Sequence, residues 1–136
     1  MNLPVIALSA TLILTSIHSA HAGGHYNTKN EIQCLSAIMY SEASGEPELG
    51  KLAIAHASIN RAKRSSRSTC KIKGVTRRSP PTALQPYFKT LAAKALFSKH
   101  KVIGLADSWN TGTRPHSRGK KIKVIGAHIF YVVSSL

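Results

Sequence analysis

Acidic side chains are the scarcest feature of this chain. Five Asp and Glu stand against nineteen Lys and Arg among 136 residues, for a net charge of +14. The first 22 residues carry no charged side chain, so the whole imbalance falls on residues 23–136. Only two cysteines are present, Cys34 and Cys70. Two lone cysteines argue poorly for a metal centre, and neither has a base placed to activate it as a nucleophile. The seven histidines show no ligand-like pairing apart from His18, His21 and His25 near the amino terminus. No metal and no cofactor are therefore expected. Internal repeats are absent, and nothing marks a second domain.

A long apolar stretch does occur at the start, from Leu3 to Ile17. It has the length of a signal-peptide core and is too short for a typical membrane span. Ala20-His21-Ala22 supplies a small-x-small cleavage pattern, although Met1-Asn2 brings no Lys or Arg. Residues 1–22 are expected to be a signal peptide cleaved after Ala22, with an uncleaved anchor or a buried helix as alternatives. Export to the periplasm or the extracellular space is the corresponding expectation. In such a compartment a cysteine pair usually bridges. A Cys34–Cys70 disulfide would close a loop of about 36 residues, worth on the order of 3–4 kcal/mol. Basic residues crowd segment 63–78, with Lys63, Arg64, Arg67, Lys71, Lys73, Arg77 and Arg78 and no acid. Such a strip attracts polyanions. For an exported protein these are anionic envelope polymers rather than nucleic acid, and a solvated loop fits the same pattern.

The organisation reads as α+β, with a mainly helical N-terminal part and a β-rich C-terminal segment. Residues 23–29 are expected to form a flexible arm, and residues 30–136 one monomeric domain. Ile32, Leu35, Met39 and Glu42 share a helix face, with Asn30 as cap and Gly45 at the end. A second helix should run from Pro47 to about Lys63, burying Leu49, Leu52, His56 and Ile59. Segment 64–81 reads as a loop. A third helix should span about 86–99, with Tyr87, Phe88, Leu91 and Ala95 inward. Residues 105–118 read as a polar, aromatic loop, and 122–133 as strand with a bulge or close approach at Gly126.

With so few acids, each can be judged singly. Glu31, Glu46 and Glu48 sit at helix starts, where the dipole alone accounts for a carboxylate. Glu42 sits at a helix C-terminus, where the dipole disfavours negative charge, and it continues an apolar stripe. Both features favour the protonated form that a general acid needs. An ion pair with one of the many cations is the alternative. His56, on an apolar helix face, reads as structural.

Residues 34–47, Cys-Leu-Ser-Ala-Ile-Met-Tyr-Ser-Glu-Ala-Ser-Gly-Glu-Pro, are followed by Gly50 and by Ala53-Ile54-Ala55-His56-Ala57-Ser58-Ile59-Asn60-Arg61. Together they resemble the cell-wall hydrolases of the spore-cortex-lytic (SleB/CwlJ) type. Thr69-Cys70 before Gly74-Val75, Ser108-Trp109-Asn110, and Ile125-Gly126-Ala127-His128-Ile129-Phe130-Tyr131 extend the resemblance over most of 32–131. Ser44 stands where that family usually has Arg, and a Gln-Phe-Ser element has no counterpart. The resemblance implies a lysozyme-like domain that cuts the glycan strand of peptidoglycan, with Glu42 as catalytic residue. One persuasive acid favours the lytic-transglycosylase route over two-carboxylate hydrolysis, for which Asp107 would be the second acid. Trp109 would stack on a sugar or pack in the core, and Asn110 would bind an acetamido group or hold a turn. His128 would face the cleft or be structural, and Tyr131 would bond Glu42 or the sugar, or pack. A catalytically inactive cationic wall-binding protein is the competing expectation.

Overall fold

A computed structural model describes residues 27–112 and 119–133. The expected signal peptide and His18, His21 and His25 lie outside the described residues. The chain enters helix α1, Thr28–Ala43, through Asn27, whose side chain accepts from the Asn30 backbone N–H at 3.2 Å. The cap is thus Asn27 rather than Asn30, because an Asx side chain three residues upstream reaches the orphan N–H. Thr28 and Lys29, expected in the arm, are helical as a result.

Helix α2, Glu48–Arg64, comes after a short turn with Pro47 at its N-cap. Every residue from Gly50 to Ile59 is buried. A stripe was expected, but a run of small alanines lets neighbours approach this helix from several sides. Leu49 is the exception and a correction: it is 51% exposed. Helix α3, Gln85–Phe97, starts with proline in its first turn. Phe88, Leu91, Ala92 and Ala95 face inward, whereas Tyr87 is 42% exposed, with its ring edge-on to Phe88 at 5.2 Å.

Three antiparallel strands complete the domain: β1 (Ser108–Thr111), β2 (Gly119–Ile125) and β3 (His128–Val133), ordered β1-β3-β2. Ser108–Thr111 was expected in a loop. Its four residues are too few for a period-2 pattern to show, yet they pair with His128–Tyr131. Gly126 is neither bulge nor mid-strand. It opens the two-residue turn between β2 and β3 at φ 57°, as a type II′ hairpin requires. The irregularity in pairing lies instead between Lys121 and Lys123.

Two core clusters result. Leu35, Met39, Leu52, Ile59, Phe88 and Leu91 join the three helices. Ile38, Ile54, Ala57, Ile103 and Phe130 seat the helices on the sheet. Phe130 is fully buried, which contributes on the order of 2–3 kcal/mol. This arrangement is an α+β domain, and among the described residues no helix is long and apolar enough to cross a membrane.

Candidate active site

Glu31 and Glu42 lie eleven residues apart on α1, close to three turns at about 3.6 residues per turn, so they share one face about 16 Å apart. The basic segment runs along that face as a strap. At its start the Glu31 carboxylate, 2% exposed, accepts from the Thr69 backbone N–H at 3.0 Å and from the Thr69 hydroxyl. Beside it Cys34 and Cys70 form a disulfide, with Cα atoms 5.2 Å apart. At the far end Glu42 Oε1 accepts from Thr76 N–H at 2.7 Å, and Ser41 Oγ accepts from Arg78 N–H at 2.6 Å. Within the strap, Arg77 donates to the carbonyls of Thr69 and Ile72. Helix-start electrostatics therefore do not account for Glu31. It is a buried anchor.

Glu42 is half-buried in the last turn of α1, a turn without any basic residue. Its second oxygen, Oε2, accepts from the indole N–H of Trp109 at 3.5 Å. Arg61 of α2 lies over the Trp109 ring, 4.6 Å from its centroid, so one ring face is covered by a cation. Arg61 also donates to the Asp107 carbonyl at 2.8 Å and the Lys73 carbonyl at 3.2 Å. Burial lowers the Arg61 pKa, opposed chiefly by the negative charge of Asp107 and more weakly by Glu42. Next to Arg61, the Asn60 side chain donates to the carbonyls of Gly104 and Ala106 at 2.9 and 2.7 Å. That pair fixes the approach to β1 and hence the position of Trp109.

The other acids are occupied differently. Asp107, 3% exposed, is held by Arg64 at 2.5 Å and accepts from Ser108 Oγ at 3.0 Å. Glu48 pairs with Lys94 at 2.6 Å on the surface. Glu46 reaches the β2–β3 turn, accepting from Ala127 N–H at 3.2 Å and lying 3.5 Å from His128 Nδ1. A Cβ at Gly126 would collide with that carboxylate. Position 126 therefore favours glycine for its positive φ, and a Cβ there would also push the Glu46 carboxylate off the turn. Glu46, expected to do no more than start a helix, staples the α1–α2 turn to the sheet. Lys51, buried, ties the same turn by donating to the Glu46 carbonyl.

Among the expected substrate residues, Trp109 meets Glu42. His128 is buried against Glu46 and Phe130. Pairing opposes Trp109 to Phe130, Asn110 to Ile129 and Ser108 to Tyr131, so Asn110 and Tyr131 point to the sheet face opposite Trp109. The residues missed in the sequence are Arg61 and Thr76 beside Glu42, and Glu46 beside His128. Arg61 closes the Asn60-Arg61 motif and was legible there, whereas Thr76 acts through its backbone and leaves no signal. Among the described residues no three His, Cys, Asp or Glu side chains gather as a metal site would require.

No family model matches this chain, and no curated protein matches it either. Among solved structures, the catalytic domain of the Bacillus cereus SleB protein is similar, with a TM-score of 0.60 and 22% identity over 81% of this chain and 100% of that one. The chain thus shares the fold of that catalytic domain.

Proposed function

We propose that this chain is an exported, lysozyme-like enzyme that cuts the glycan strand of peptidoglycan through Glu42. The supporting observation is how the five carboxylates are distributed. Asp107 and Glu48 are ion-paired, Glu31 is buried on Thr69, and Glu46 is committed to the hairpin turn. Glu42 alone combines neutral donors, a backbone N–H and an indole N–H, with a half-open position. Two oriented donors hold the carboxyl group in place while its half-open position leaves it within reach of a substrate. The fold of the SleB catalytic domain and the resemblance of its motifs point the same way.

In this reading Glu42 protonates the departing glycosidic oxygen as the C1–O bond breaks. The sugar's own 6-hydroxyl then attacks C1, and its proton returns to Glu42. No second enzyme carboxylate is needed, in contrast to two-carboxylate hydrolysis. Asp107 does not serve as a second acid in this scheme, since its charge is spent on Arg64. Trp109 and Arg61 act as positioning residues for Glu42.

Glu42→Gln should keep the fold and wall binding but lose about 10²–10⁴-fold in activity, as loss of general acid catalysis implies. Clearing of purified walls measures this, and clearing at the parent rate would sink the assignment. Released muropeptides should carry 1,6-anhydro ends, lighter by one water than hydrolysis products. Wall binding without clearing by the unsubstituted chain would establish the inactive cationic binder instead.

A further inference from the structure

A wide concavity opens away from Glu42. It lies at the opposite end of the strap, a groove of about 590 Å³ between the start of α1 and the end of α2. Lys63, Arg67 and Lys71 line it, together with Asn30, Ser66 and Ser68. All three cations are exposed, and among the described residues their side chains form no ion pair. A helix C-terminus attracts cations for dipole reasons, which would account for Lys63 alone. Arg67 and Lys71 lie beyond the helix and are placed by other devices.

Arg67 is set by the Schellman closure of α2. Its N–H donates to the Ala62 carbonyl at 2.9 Å, and Ser66 N–H donates to the Lys63 carbonyl at 3.1 Å, with Ser66 at φ 51°. Lys71 ends the 3-10 turn Thr69–Lys71, which the Glu31 carboxylate and the Cys34–Cys70 bridge hold against α1. A buried carboxylate, a disulfide and a left-handed serine thus fix three like charges around one hollow, against their mutual repulsion. Glu31 also lines the groove, but its carboxylate is turned onto Thr69.

We propose that this groove binds the stem-peptide carboxylates of peptidoglycan while the glycan lies at Glu42. The identity of the ligand rests on the function proposed above. Amide, hydroxyl and cationic donors suit carboxylates, and among the described residues the lining contains no aromatic side chain on which a nucleic-acid base would stack. The strap, anchored at one end by Glu31 and at the other by Glu42, links the groove to the cutting site along a single face of α1.

Binding is measured by co-sedimentation with purified sacculi, using Glu42→Gln protein at low salt so that nothing is consumed. Amidating the stem carboxylates of the sacculi should weaken binding about tenfold, three exposed charge contacts being lost. The triple variant Lys63→Gln, Arg67→Gln, Lys71→Gln should bind untreated and amidated sacculi alike, at the weaker level, with an unchanged melting temperature. If the triple variant unfolds, each single variant should lose about twofold. Equal binding of the parent to both sacculi overturns the proposal. So does competition by poly(glycerol phosphate) or a DNA oligomer that exceeds competition by a free stem peptide. Muropeptide release by the unsubstituted chain is scored separately. Carboxylate-dependent binding without release removes the enzymatic function and leaves the groove, and release without carboxylate dependence does the reverse.

Discussion

At the scale of single residues, two glutamates that look alike in a sequence do different work. Glu31 is buried and takes two hydrogen bonds from Thr69, so removing its carboxylate strands both donors. Glu31→Ala should lower stability by about 1–3 kcal/mol, read as a shift in the urea midpoint. Glu48, by contrast, is exposed and paired with an exposed lysine, and Glu48→Gln should shift that midpoint by no more than ~0.5 kcal/mol. His56 is buried, and its Nδ1 accepts from Val102 N–H at 3.0 Å. Burial, with Lys101 adding to it, lowers its pKa from 6.5 to about 4. Between those values the unfolded chain binds a proton that the folded chain does not, so this site's stabilisation is fully present above 6.5 and lost as pH falls toward 4. The urea midpoint of His56→Gln should depend less on pH across this window than the parent's. An equal dependence would remove His56 as the cause.

At the scale of elements, the strap between Thr69 and Arg78 puts Ile72 into the core with Val75 packed beside it, and polar ties hold the rest. Its two ends rest on carboxylates, and its start is crosslinked to α1. Replacing both Cys34 and Cys70 by alanine should cost on the order of 3–4 kcal/mol. It should also loosen Lys71 and weaken wall binding more than it slows the cleavage step. Hydrogen exchange at Thr69 and Lys71, faster than in the parent, would report the loosening. The hairpin turn is the second sensitive element. Gly126→Ala would meet both the positive φ and the Glu46 carboxylate, and should destabilise by about 1–3 kcal/mol. Combining it with Glu46→Ala should recover part of that loss, because the collision is relieved while the backbone strain stays.

At the scale of the whole molecule, the helical half was the more legible. Long periodic segments declare themselves, so α1, α2 and α3 were expected within a few residues of where they lie, as was the Cys34–Cys70 bridge. The sheet was legible over residues 122–133, which hold the end of β2 and all of β3, whereas β1 was not. Lysine-rich β2 is an exposed edge strand, and its first residues, Gly119, Lys120 and Lys121, carry no apolar side chain to announce it. Charge, cysteine pairing, the helix periods and the placement of Glu42 at a helix end are local properties, which the amino-acid order determined by itself. Which acid remains available was decided only by tertiary structure. Asp107 looks free until Arg64 is brought beside it, and the helix starts of Glu31 and Glu46 give no sign of Thr69 or the β2–β3 turn, partners that lie 38 and 81 residues away. Contacts at such separation depend on how the helices and sheet pack, and no local pattern encodes them.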